Sequence, residues 1–190
     1  MRKLILILSF AIGLYFISSS LYMLMKAELS VYLINHAWQK TLKDKQYHKP
    51  WTWADTFPIL TINIPRLNQN STILQGESGR NMAFAAIHVG NSGMPGDSKT
   101  TILSGHKDSH FDYLQNLLIG DEIITQDKFK TLSYKITSVK IINSKDEKLS
   151  IRNTNELILT TCYPFSDFQI GGDLRYVVFA SPNLSYTKKT

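Results

Sequence analysis

Residues 157–162 read Leu157-Ile158-Leu159-Thr160-Thr161-Cys162, an apolar and β-branched run that ends on the only cysteine of the chain. Six such residues make a strand, and Tyr163-Pro164 stops it just after the sulfur. Similar runs recur at 58–67, 71–75, 100–104, 122–126, 133–142 and 174–180. Turn residues divide them, most clearly in Asn91-Ser92-Gly93-Met94-Pro95-Gly96-Asp97. Short helices are expected at 81–86 and 110–118. Many short strands with few helices predict a mainly β domain, either a closed barrel or a sandwich.

The first quarter of the chain has a different texture. Residues 4–25 (LILILSFAIGLYFISSSLYMLM) contain no charge in 22 positions, enough to cross a bilayer as a helix. Arg2 and Lys3 precede them and favour a cytoplasmic N-terminus. A cleaved signal peptide is the rival reading, with Ser18-Ser19-Ser20 as a cleavage region. Apolarity continues past the serines to Met25, which favours a retained anchor. Either way the domain is exported. Residues 26–46 carry apolar side chains at helical spacing, one set at Leu29, Tyr32, Leu33 and Ala37, another at Val31, Ile34, Trp38 and Leu42. They predict an amphipathic stalk, broken by Pro50-Trp51-Thr52-Trp53. The expected organisation is a tip and anchor at 1–25, a helical stalk and linker at 26–56, a β domain at 57–183 and a flexible tail at 184–190.

Composition narrows the function. At 43% hydrophobic and 19% charged the chain is globular in character. A formal charge of +6 suits an acidic surface nearby. No basic run with interleaved aromatics points to nucleic acid. One cysteine excludes an intramolecular disulfide and any multi-cysteine zinc site. Asp108, Asp112 and Glu122 lack ligand spacing, so no metal and no cofactor are expected.

A lone cysteine fits either a small buried side chain or a nucleophile. Export favours the second, because an unpaired thiol outside the cytoplasm is an oxidation liability. A nucleophilic cysteine needs a proton-transfer partner within reach. His36 and His48 fall on the stalk and linker. His88 precedes a loop, where it could pack or line a cleft. His106 and His110 lie in Gly105-His106-Lys107-Asp108-Ser109-His110-Phe111, just after the strand-like Thr101-Ile102-Leu103. Gly105 permits close backbone approach there, which makes His106 the better candidate. Arg175 starts the last apolar run, thirteen residues beyond Cys162. A guanidinium on a neighbouring strand can donate to charge developing on a carbonyl oxygen.

The order Gly-His, then Thr-Thr-Cys, then Arg, each beside an apolar run, resembles the sortases. In that family a histidine, a cysteine closing a Thr-Leu-x-Thr-Cys motif and an arginine on the next strand form the site of a β-barrel. Leu159-Thr160-Thr161-Cys162 matches the motif from its second position, with Ile158 replacing the first threonine. Residues 50–56 (PWTWADT), 105–111 (GHKDSHF), 161–165 (TCYPF) and 174–178 (LRYVV) look most like the Gram-negative, proteobacterial class. Lys107 stands where that class usually has arginine. The resemblance covers the chain from anchor to last strand.

It implies a sortase-like closed barrel with short helices behind a transmembrane helix and stalk. It also implies a cysteine transpeptidase with Cys162 as nucleophile, His106 as proton-transfer group and Arg175 as oxyanion stabiliser. Thr161, Tyr163, Pro164 and His88 are the expected substrate-binding residues, with the 163–173 loop shaping the groove. The implied partners are an exported protein bearing a C-terminal sorting signal and an amine acceptor. The implied location is the inner membrane, with the catalytic domain on the periplasmic side. Two readings compete. An L,D-transpeptidase also orders His before Cys, but its Ser/Thr-x-Gly-Cys-x-Arg signature is absent. A membrane-tethered envelope scaffold would leave Cys162 merely buried. A papain-like peptidase is disfavoured, because its cysteine precedes its histidine.

Overall fold

The computed structural model describes residues 2–76, 78–166 and 172–189. Its first element is one continuous helix, α1 (Arg2–Asp44), which fuses the expected anchor and stalk. The described side chains before Lys26 are exposed, and that half is apolar and long enough to cross a membrane. The second half lies against the domain. Its buried residues Ile34, Ala37, Trp38 and Thr41 follow one helical stripe. The helix stops at Lys45, whose left-handed φ of 62° turns the chain while its N–H still bonds the Thr41 carbonyl.

Eight strands follow: β1 (Pro58–Ile64), β2 (Gln69–Gln75), β3 (Ala86–His88), β4 (Thr101–Ser104), β5 (Glu122–Asp127), β6 (Lys130–Asn143), β7 (Leu157–Cys162) and β8 (Leu174–Lys189). They close into a barrel in the order β1-β2-β3-β4-β7-β8-β6-β5. β4 runs parallel to β7, and β2 parallel to β3; the other pairs are antiparallel. Of the two predicted β architectures, the barrel is the one formed. Its interior is filled by side chains such as Leu60, Leu103, Tyr134, Leu159 and Val178. Ile34 of α1 covers the outer face of β2 and β3 by packing with Leu74, Ala85 and Ile87.

Four local expectations change. The helix expected at 81–86 is a single turn, α2 (Gly79–Met82), capped by the Ser78 hydroxyl. Ala86, placed at that helix's end, instead opens β3, which the sequence reading did not find. The second expected helix is a short 3-10 turn at Asp112–Asn116. β8 runs on to Lys189, past the expected domain end at 183, pairing Thr187–Lys189 with Leu132–Lys130.

One ion pair braces the barrel where β1 meets β5. Arg66 follows β1, and its Nε and Nη2 donate to the two Asp121 oxygens at 2.6 and 2.7 Å. Asp121 is only 7% exposed and also accepts from the Leu118 N–H. The Arg66 hydrogen bond is the main reason its carboxyl sits below the usual carboxylate range. A depressed folded-state value stabilises above the unfolded value, and that contribution is lost as pH falls through the folded value. Asp121→Asn should therefore destabilise the domain at neutral pH by about 1–3 kcal/mol, discounted because exposed Arg66 is screened by solvent. It should also flatten the acid limb of stability against pH. Denaturant titrations across pH check both, and an unchanged acid limb contradicts this role.

Candidate active site

The register of three neighbouring strands sets the site. Cys162 is the last residue of β7 and pairs directly with Arg175 on β8. Directly opposed residues share a face, so thiol and guanidinium emerge on the same side of the sheet. On the other flank Ser104 of β4 pairs with Thr160 of β7. Two residues past that pair stand His106 on one segment and Cys162 on the other. Histidine, cysteine and arginine thus occupy one level on three adjacent chain segments, at spacings of about 4.8 Å between strands.

That face is the outer one. Ile102, Ile142, Ile158 and Val177 form a small apolar cluster on it, below Cys162. Above the cluster lies an open groove of about 420 Å³ whose lining includes His106, Cys162 and Arg175. Ser104, Thr160 and Leu149 line it as well. Cys162 is half-buried, so substrate can reach it.

The His106 segment is tied to the cysteine strand by three hydrogen bonds. The Gly105 N–H donates to the Thr160 carbonyl at 3.3 Å. The Thr161 hydroxyl donates to the Gly105 carbonyl at 2.7 Å. Lys107 Nζ donates to the Pro164 carbonyl at 2.8 Å. Gly105 answers to close approach: a Cβ there would stand 2.9 Å from the buried Phe111 ring and 3.2 Å from Ala86 Cβ. The glycine lets the chain cross the end of the core and deliver His106 to the rim.

Arg175 donates from Nη1 to the Gly172 carbonyl at 2.6 Å and to the Leu174 carbonyl at 2.9 Å. Both bonds use one nitrogen. Among the described residues the Nε and Nη2 protons are left for an acceptor in the groove. Asp173, the partner a surface arginine would take, pairs with Lys145 at 2.7 Å.

The two candidate histidines separate in space. His110 lines a different cavity, between Ile34 and Asn35 of α1 and Thr72 of β2. Burial holds its imidazole below the usual histidine range. A bond to the Ala83 backbone opposes this, and the neighbouring His106 adds to it.

The other expected contacts are placed differently. His88 is 3% exposed and does not line the groove. Its Nε2 bonds the Gly93 carbonyl and the Ser92 hydroxyl, which fixes the 91–97 loop. Thr161 borders the groove but is 2% exposed, and its hydroxyl is used on Gly105. Tyr163 and Pro164 lie just beyond the groove lining. Tyr163 packs in an aromatic trio with Phe165 and Tyr176, and Pro164 offers its carbonyl to Lys107. Residues 167–171 of the expected groove loop fall outside the described residues.

The sequence reading missed a whole wall of the groove. Ser144, Glu147, Lys148 and Leu149 come from the β6–β7 connection, a polar stretch with no motif to mark it. It also missed Thr160 on the groove floor, whose buried hydroxyl has no hydrogen-bond partner among the described residues. Among the described residues no cluster of His, Cys, Asp or Glu could hold a metal.

Comparison with known proteins gives the family and the fold. Residues 62–183 match the family model described as the sortase domain. The chain is 30% identical over 139 residues to sortase D of Bacillus subtilis (strain 168), covering 72% of this chain and 68% of that protein. Among solved structures, the Clostridium perfringens sortase D5 transpeptidase superposes with a TM-score of 0.65 at 17% identity, over 82% of this chain and 98% of that one. Sortase A from Corynebacterium diphtheriae superposes at 0.60 with 23% identity, over 68% of this chain; the match spans 62% of that one. At these identities the structural likeness establishes the fold, and the family rests on the domain match and the sortase D relative. The chain belongs to the sortase family of cysteine transpeptidases.

Proposed function

We propose that this sortase cleaves a C-terminal sorting signal on an exported protein and passes the acyl group to an amine. The observation that carries this reading is that His106, on the segment just past β4, lines one groove with Cys162 of β7 and Arg175 of β8. In the forward half, the Cys162 thiolate adds to the carbonyl carbon of the scissile peptide bond. The oxyanion that forms accepts hydrogen bonds from the Arg175 guanidinium. The C–N bond then breaks, and His106 gives its proton to the leaving amine. The product is a thioester on Sγ. In the second half an incoming amine loses a proton to His106 and attacks the thioester, which restores the thiolate. Water in place of the amine gives hydrolysis.

Thr161 works through the backbone in this scheme. Its hydroxyl holds the Gly105 carbonyl, which fixes the approach of His106. Lys107 fastens the same segment to the turn after Cys162. The apolar half of α1 would anchor the enzyme, with Arg2 and Lys3 on the cytoplasmic side and the barrel on the periplasmic side. The four motif stretches support the Gram-negative class.

Two outcomes follow for the full chain incubated with candidate sorting-signal peptides. Mass spectrometry should find a thioester adduct on the wild-type chain and none on Cys162→Ala. Undiminished turnover by that variant removes the assignment. His106→Ala should lower transpeptidation by on the order of 100- to 10,000-fold, while His110→Ala keeps activity, because His110 lines another cavity. The reverse pattern identifies His110 as the proton-transfer group.

A further inference from the structure

A second cavity, which shares no lining residue with the catalytic groove, lies where α1 meets the tryptophan-rich linker. Its volume, about 410 Å³, rivals that of the groove itself. One wall is a single face of α1: Lys26, Leu29, Ser30 and Leu33 follow the i, i+3, i+4, i+7 spacing. Trp51 and Trp53 of the linker form the other wall, and Arg80 and Phe84 close it. Trp51 is braced edge-on against Phe84, with ring centroids 5.2 Å apart. Trp53 is 84% exposed. An indole presented to solvent on a cavity wall has no role in holding the barrel together.

The position of this cavity along α1 points to its occupant. The uncharged run Leu4–Met25 has 22 residues, about 33 Å as a helix, close to the roughly 30 Å of a bilayer's hydrocarbon core. Lys26, the next residue, therefore stands at the hydrocarbon edge. From Lys26 to Leu33 the cavity wall climbs about 10 Å further, which is headgroup depth. Tryptophans concentrate at that level, and cations there meet lipid phosphates. The cavity's charges are Lys26, Arg80 and Asp55, a net +1. Neither Lys26 nor Arg80 forms an ion pair among the described residues.

We infer that this cavity is a binding site for one anionic membrane phospholipid, its headgroup phosphate between Lys26 and Arg80 and its upper chain against Leu29, Leu33 and Trp53. Such a lipid would hold the barrel at a fixed height and tilt over the membrane. The inference rests on the membrane-anchor reading, and the test separates the two.

The full-length chain is reconstituted in vesicles of phosphatidylcholine and phosphatidylglycerol in equal parts. One lipid at a time is brominated near the top of its acyl chains. Indole quenching by brominated phosphatidylglycerol should exceed that by brominated phosphatidylcholine, and the excess should shrink in Trp53→Phe to the share that Trp51 on the same wall supplies. In Lys26→Gln and Arg80→Gln, both exposed positions, apparent affinity for the anionic lipid should fall about fivefold for each cation removed. Equal quenching by the two lipids, unchanged in the double variant, overturns the site and leaves the anchor standing. Shielding of Trp53 that follows protein density instead of lipid charge assigns the cavity to a second copy and also overturns it. A chain that fails to float with the vesicles at all overturns the anchor reading itself.

Discussion

The parallel pairing of β4 with β7 is the constraint on which the site depends. It brings the segment that carries His106 beside the strand that ends in Cys162, across 56 positions of sequence. Ladder bonds alone would leave His106 at a loose strand end, since β4 stops at Ser104. The Thr161 hydroxyl and Lys107 ammonium extend the tie past that end, each by bonding a carbonyl of the facing segment. On the other flank the antiparallel β7–β8 ladder itself sets Arg175 against Cys162. The aromatic trio of Tyr163, Phe165 and Tyr176 packs beside that pair.

Polar atoms in this region divide between holding the site and facing the groove. Thr161 turns inward and bonds Gly105, while Thr160, on the outer face, has a hydroxyl unpartnered among the described residues. His88, which the sequence left open to packing or to lining a cleft, is buried and fixes the following loop through Ser92 and Gly93. Arg175 is held by two carbonyls on one nitrogen, an arrangement that orients the guanidinium without using it up.

Much of this was legible in the sequence because strands carry local signals. The run from Leu157 to Cys162 is both the predicted and the observed extent of β7. The seven recognised runs all became strands, as alternation and β-branching dictate. β3 escaped because Ala86-Ile87-His88 is too short to show a period and follows a helix-like stretch. The run of the anchor helix on into the stalk was legible, because no breaker separates Met25 from Lys26. Closure into a barrel was not legible from periodicity, which leaves barrel and sandwich open; only the family resemblance chose between them. The groove wall at residues 144–149 was invisible for a different reason. Its residues are polar and irregular, and only the path of β6 and β7 brings them over Cys162. Family membership removes the scaffold and L,D-transpeptidase readings that residue chemistry alone had left open.

The Cys162 sulfur stands at the rim of the barrel, half-exposed at a groove that His106 and Arg175 also line. Timed alkylation of the intact, folded chain by iodoacetamide at neutral pH tests this most directly, because the chain has a single thiol. One adduct on Cys162 should form without denaturant, with the rate lowered by an occupying signal peptide and by loss of the His106 imidazole. Labelling that appears only after unfolding, indifferent to both, would contradict it.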